Sequence, residues 1–338
     1  MSTCGRVVTI IGVGTFCVLL AAATAVMFLY QYAVTPVHIS QASGVVWIKP
    51  GQTFPETVVQ LQKAGFIQHP QLFRWIARYR GDDRHIRAGE YELGTSMAPR
   101  EILDALVSGK TVLHKVVIPE GCTIPKIGEI LENAGLVSQE DFVQAASDAS
   151  FVKALGLEGS TFEGYLFPET YYFPKGVAAE EVIRKMVSGF RSVFTPAWAE
   201  RAQAMGLTVY EVVTLASLVE KETGNPEERP LIAGVFLNRL KRGMRLESDP
   251  TVIYGMSNFD GNLTRQDLET PNPYNTYLIK GLPPGPIANP GRASLEAVLY
   301  PSKEPYLYFV SKNDGSHHFS RTLDEHNQMV RKYQLRKP

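Results

Sequence analysis

Apolar positions crowd the start of the chain: from Val7 to Tyr30 there is no charged residue, and Ile, Val, Leu, Phe and Ala dominate. A run of roughly 24 such residues is long enough for a helix to cross a bilayer core. Arg6 and the amino terminus precede it, and the next Lys or Arg is Lys49. That bias predicts a cytoplasmic segment 1–6, a transmembrane anchor over 7–33 and the bulk of the chain on the opposite side. A cleaved signal peptide is the rival reading, because Ala21-Ala22-Ala23-Thr24-Ala25 offers small residues of the right kind. The apolar run continues through Val26-Met27-Phe28-Leu29-Tyr30, which favours the anchor.

Beyond the anchor the pattern breaks into short strand and helix periods. Laid on itself with an offset of 70 residues, the chain repeats: Ile48-Lys49-Pro50-Gly51-Gln52-Thr53-Phe54-Pro55 aligns with Ile118-Pro119-Glu120-Gly121-Cys122-Thr123-Ile124-Pro125. Each copy reads as a strand, a glycine turn, a Thr N-cap with proline in the first turn, and a helix stopped by glycine. Arg87 to Leu93 reads as a further strand and Ala98 to Leu106 as a helix ending near Gly109. Two copies are too few for a solenoid. A small α+β module over 44–112 fits better, either as a plain strand–turn–helix unit or as a carbohydrate-binding module of the LysM type. The stretch 162–174 carries six aromatics, which either line a sugar groove or pack a loop onto the core.

From Thr208 the helical period is strong, with Val209, Val212, Val213, Ala216 and Val219 at core spacing and Gly224 as the stop. Asn225-Pro226-Glu227-Glu228 then reads as the start of a second helix running through Ile232, Val235, Phe236, Arg239 and Leu240 to Gly243. The two form a helical hairpin with Glu222 and Thr223 at its corner. Glu222 shares a face with Leu215, Leu218 and Val219, whereas Glu220 lies about 160° away round the helix. Both directions are partly apolar, so periodicity separates the two acids only weakly. A desolvated carboxyl near neutrality can donate a proton to a glycosidic oxygen, and Thr223 could orient it. The bland alternative is a surface pair at a helix end.

Composition removes other classes. The 338 residues carry zero net charge, so no whole-protein field recruits nucleic acid. Cys4 and Cys17 lie in or beside the N-terminal apolar segment and leave Cys122 alone in the rest of the chain, which argues against a disulfide framework and excludes a cysteine metal site. His317-His318 sits on a hairpin strand without a third ligand at useful spacing, so no metal and no cofactor is expected.

The downstream motifs change the balance. Glu220-Lys221-Glu222-Thr223, Phe236-Leu237-Asn238-Arg239-Leu240, Gly243-Met244-Arg245-Leu246, Ser248-Asp249-Pro250-Thr251-Val252-Ile253-Tyr254-Gly255, Tyr274-Asn275-Thr276-Tyr277 and Gly281-Leu282-Pro283-Pro284-Gly285-Pro286-Ile287 together resemble the endolytic murein transglycosylases, the YceG-like family. The resemblance is dense from about 207 to 330 and looser back to about 44. It implies a mixed α+β fold: an N-terminal transmembrane helix, the LysM-like module over 44–112, and a catalytic domain over 113–338 whose helical hairpin carries the catalytic acid. It places that acid at Glu222. The implied reaction cuts the β-1,4 bond between N-acetylmuramic acid and N-acetylglucosamine and leaves a 1,6-anhydro end. One carboxyl suffices, because the muramyl C6 hydroxyl is an internal nucleophile, whereas ordinary glycosidases need two.

Thr223, Asn238, Arg239, Asp249, Thr251, Tyr254, Tyr274, Asn275 and Tyr277 follow as candidate substrate contacts. Asp249 could instead cap the turn begun by Pro250, and Arg239 and Arg245 could form structural salt bridges. The loop from Gly281 to Pro290 reads as a rigid cleft wall. The expected setting is the inner membrane with the catalytic domain in the periplasm; the expected partners are glycan strands and peptidoglycan synthases. Alternatives are a non-enzymatic glycan-binding scaffold and a hydrolytic muramidase using Asp249 or Glu220.

Overall fold

The computed structural model describes the backbone of residues 3–37, 43–256 and 258–335, and side chains from residue 13 onward. Residues 1–2 of the expected cytoplasmic segment and 336–338 of the expected catalytic domain lie outside the described residues. The chain divides into two compact units, Met1–His114 with Pro174–Gly176, and Lys115–Phe173 with Val177–Pro338.

In the first unit α1 (Thr3–Val34) is followed by β1 (Ser43–Ile48), α2 (Phe54–Lys63), α3 (Pro70–Arg80), β2 (Gly89–Gly94) and α4 (Pro99–Ser108). From Val13 to Val34 the first helix is long and apolar enough to cross a membrane, and none of that stretch is buried in protein. Its end is different: Tyr32 and Ala33 pack against the unit's core of Val46, Ile48, Leu61, Phe73, Tyr91 and Leu103. β1 and β2 pair antiparallel from Ser43↔Gly94 to Ile48↔Gly89. α2 starts in a capping box: Glu56 N donates to the Thr53 hydroxyl and Thr53 N to the Glu56 carboxylate. Two of the unfilled donors of the first turn are thereby satisfied.

The second unit follows with β3 (Leu113–Val117), α5 (Ile124–Asn133), α6 (Gln139–Ala146), α7 (Ala149–Ala154), β4 (Thr170–Pro174), α8 (Ala179–Val193), α9 (Pro196–Ala204), α10 (Val209–Glu222), α11 (Arg229–Lys241), α12 (Asp249–Tyr254), α13 (Arg265–Glu269), α14 (Arg292–Leu299), β5 (Tyr308–Ser311), β6 (His317–Ser320) and α15 (Leu323–Tyr333). β3 pairs with β4, and β5 with β6 in an antiparallel hairpin. The repeat is visible in the backbone: α2 and α5 end alike, at Gly65 (φ +80) and Gly135 (φ +68), a left-handed conformation open to glycine.

α10 is the core helix. Every residue from Val212 to Val219 is buried, including Thr214 and Ser217, so its all-round apolar sequence is explained by helices on several sides. α11, α14, α9 and α12 pack on it. The Ser217 hydroxyl donates to Thr214 O at 2.6 Å and accepts Ile287 N at 3.0 Å, which ties the Pro- and Gly-rich loop to α10.

Two local expectations change. Gly224 is not left-handed; α10 stops because Thr223 turns extended (φ −146, ψ 136) and its hydroxyl accepts Asn225 N. The next helix starts at Arg229 rather than at Pro226: residues 225–228 form a separate turn, with Glu228 N donating to Asn225 O, and Pro230 fits only a first turn. In the aromatic stretch Phe162, Tyr165, Tyr171 and Phe173 are core residues and Tyr172 stands exposed, so the stretch packs more than it presents.

Candidate active site

Glu222 is the last helical residue of α10, where the chain leaves a buried helix for an extended segment. Its side chain keeps some solvent contact, yet the carboxyl is densely surrounded by protein. The Ser248 hydroxyl donates to its Oε1 at 2.5 Å. Burial pushes the carboxyl up from 4.5 to about 7; the Ser248 bond pulls the other way, the Asp249 charge adds to the rise and Arg239 opposes it. A group balanced there holds both its protonated and its ionised form at neutral pH.

The loop that supplies Ser248 is braced by hydroxyls. Ser248 N donates to Thr276 Oγ1 at 2.9 Å, Thr251 Oγ1 donates to Ser248 O at 2.6 Å, and the Thr251 and Thr276 hydroxyls lie 2.8 Å apart. All three side chains are buried. The preceding residue, Glu247, has φ +51, a left-handed conformation that a non-glycine residue holds only when its surroundings impose it. They do: Glu247 N donates to Thr276 O, and its carboxylate accepts Arg239 Nη1 at 3.0 Å.

Asp249 follows Ser248 as the first residue of α12 and is exposed; its Oδ1 accepts the Tyr277 hydroxyl at 2.6 Å. It forms no side-chain cap, so the expected capping role is replaced by this bond. At the other end of α12, Tyr254 packs edge-on to Tyr274, with ring centroids 4.9 Å apart, and its hydroxyl donates to Glu163 at 3.3 Å.

Several expected contacts are turned inward instead. Thr223 donates to Glu228 at 3.4 Å, away from the Glu222 carboxyl it was expected to orient. Asn238 donates to Glu304 O and Tyr306 O, both at 3.0 Å. Arg239 is buried and donates to Leu307 O, Arg245 O and Leu246 O as well as to Glu247. Asn275 is fully buried and donates to Leu268 O and Thr270 O. Five donors on one guanidinium suit such carbonyl gathering. These bonds tie the four side chains to the protein's own backbone and to Glu228 and Glu247.

Glu220 is equally committed. Its carboxylate accepts Gly291 N, which opens α14, at 2.9 Å, and Arg229 lies at 3.5 Å. The two acids of Glu-Lys-Glu are thus distinguished by partners rather than by burial. His317 donates its backbone N–H to Glu228 Oε1 at 2.8 Å and lies with Nδ1 2.7 Å from Oε2. Among the described residues no three His, Cys, Asp or Glu side chains gather as a metal site.

Two residues escaped sequence reasoning. Ser248 lies inside a quoted motif, but nothing local shows that its hydroxyl meets Glu222, 26 positions earlier. Glu163 is buried, and its carboxylate accepts Asn289 Nδ2 at 2.7 Å, Ile124 N at 3.1 Å and the Tyr254 hydroxyl. Burial raises it to about 7, opposed by these three bonds. Its only signal was an acid set within an apolar aromatic stretch.

Residues 46–332 match the model of the YceG-like family. A Bacillus subtilis protein named endolytic murein transglycosylase is 34% identical over 289 residues, covering 81% of this chain and 80% of that protein. A Streptococcus pneumoniae protein of the same name is 30% identical over 90% of this chain, which spans 61% of the pneumococcal protein. The crystal structure of a yceG-like protein from Listeria monocytogenes superposes with a TM-score of 0.59 at 35% identity, over 85% of this chain and 98% of that one.

Proposed function

Because the chain belongs to the YceG-like family, we propose that it is an endolytic murein transglycosylase, anchored by α1. It cuts the β-1,4 bond between N-acetylmuramic acid and N-acetylglucosamine within nascent glycan strands. The new ends are 1,6-anhydro-N-acetylmuramic acid, and strand elongation stops there. The supporting observation at the level of residues is Glu222: a carboxyl at the end of a buried helix, raised to about 7 and held by Ser248.

In the first step protonated Glu222 gives its proton to the glycosidic oxygen, the C1–O bond breaks, and positive charge develops on the muramyl ring. Ser248 donates to the carboxylate left behind and stabilises it. In the second step that carboxylate takes the proton of the muramyl C6 hydroxyl as its oxygen bonds to C1. The bicyclic product leaves and Glu222 is protonated again, so no water is consumed. A second catalytic carboxylate is unnecessary, which agrees with the engagement of Glu220 by Gly291 and Arg229. Asp249, held by Tyr277, acts as an electrostatic neighbour that favours the protonated acid. Tyr254, Tyr274 and Tyr277 are the proposed sugar contacts on the α12 side; Thr223, Asn238, Arg239, Thr251 and Asn275 shape the site from behind.

We place the folded part of the chain in the periplasm, anchored in the inner membrane beside the synthases that supply its strands, and assign the LysM-like module over 44–112 to glycan binding. The deciding experiment digests glycan strands with wild type and Glu222→Gln and weighs the product ends. Anhydromuramyl ends from wild type that vanish in the variant are expected. Reducing ends would identify a hydrolase, and unchanged cleavage by Glu222→Gln would remove Glu222 from its role.

A further inference from the structure

Helix α3 has two unlike faces. Phe73, Ile76 and Ala77 are buried against the first unit's core, while Gln71, Trp75, Arg78 and Tyr79 fall within about 100° of arc on the opposite side. Trp75 is 68% exposed and Tyr79 94%. Two large aromatics one turn apart, with an arginine between them, are the side chains that settle where hydrocarbon gives way to headgroups.

The position of the helix makes the pattern meaningful. The apolar stretch of α1 runs to Val34, and Tyr32, in its last turn, donates its hydroxyl to His69 O at 3.1 Å. The Tyr32 ring also meets the His69 imidazole edge-on, with centroids 5.8 Å apart. His69 is the N-cap residue of α3. With α1 as a span, α3 therefore begins at the level where α1 leaves the bilayer. The headgroup layer on each side is about 5–8 Å deep, less than the roughly 10 Å diameter of a helix with its side chains. The N-terminus of α3, bonded to the last turn of α1, therefore lies within or beside that layer when α1 spans the bilayer.

We propose that α3 is a membrane-surface helix, with the Trp75 and Tyr79 rings seated among lipid headgroups and Arg78 against phospholipid phosphates. The proposal rests on the reading of α1 as a retained anchor. It gives the first unit two attachments to the bilayer, a span and an interfacial helix, and so restrains its rotation about the span.

The test uses the full chain reconstituted into vesicles of phosphatidylethanolamine and phosphatidylglycerol, with and without acyl chains brominated near the headgroup. Each sample is floated after alkaline carbonate washing to score the anchor separately. The chain has three tryptophans, so bromolipid should quench roughly a third of the emission of wild type, and Trp75→Phe should abolish that quenching. Trp75 is a surface residue, so the variant folds whether or not the proposal holds. Carbonate-resistant flotation without bromolipid quenching, or quenching that survives Trp75→Phe, would overturn the surface assignment and leave the anchor standing. Loss of flotation would overturn the anchor and this inference with it. Shielding of Trp75 from aqueous iodide without bromolipid quenching would mean that a second protein surface covers it, which also overturns the proposal.

Discussion

A buried carboxyl held near neutrality is a stability cost, and its size follows from the structure. Glu222 has an ordinary value of 4.5 and is raised to about 7, first by burial. Below pH 4.5 it is protonated in both folded and unfolded chains and contributes nothing to the difference. Between pH 4.5 and 7 the unfolded chain ionises while the folded one resists, and stability falls. Above pH 7 both are ionised and the full cost is present, in the limit about 3 kcal/mol. The side chain keeps some solvent contact, so about 1–3 kcal/mol is expected. Glu222→Gln keeps the shape and an acceptor for Ser248 but cannot ionise. Its melting advantage over wild type should be small at pH 5 and larger at pH 8, about 2–12 °C for a unit of this size. Differential scanning calorimetry of wild type and variant at the two pH values measures this directly. An equal melting difference at pH 5 and pH 8 would refute the reasoning, because a packing or hydrogen-bond effect has no reason to follow that titration.

Other predictions address single contacts. Asp249→Asn removes a negative charge that favours protonated Glu222, so the alkaline limb of the pH–rate profile should move to lower pH; no movement would mean that Asp249 is electrostatically silent. Ser248→Ala removes the donor to the carboxylate and should lower kcat about ten- to hundredfold with the fold retained, measured as anhydro-end release. Glu163→Ala strands Ile124 N in the core and leaves Asn289 Nδ2 with Cys122 O as its remaining partner, and should cost about 2–4 kcal/mol in urea unfolding, independent of substrate. Gly255→Ala would place a methyl group 1.7 Å from Asn272 Nδ2, and a loss of about 1–3 kcal/mol is expected from that overpacking.

Some of this protein was legible in its residues because the physics is local. An uncharged apolar run that can span a bilayer needs no tertiary context. The Thr53 cap and the Gly65 and Gly135 stops are set by nearest-neighbour sterics and hydrogen bonds, and they stand where the pattern puts them. Boundaries that depend on distant partners were not legible. Pro226 resembles a helix start, yet α11 waits for Arg229 while Glu228 turns to His317, 89 positions away.

The site divides the same way. Periodicity can bring Glu220 and Glu222 to the end of a buried helix, but it cannot say which carboxyl remains available. That choice is made by the amide of Gly291, which takes Glu220, and by the hydroxyl of Ser248, which takes Glu222. The candidates Asn238, Arg239 and Asn275 carry suitable polar groups, and only the packed structure shows them spent on backbone carbonyls. Sequence alone determined where the long apolar helix, the Thr53 cap and the acidic corner lie, because each needs only its neighbours. The tertiary structure decided which polar atoms are satisfied and which stay free, because a buried hydrogen bond has one partner and that partner can come from anywhere in the chain.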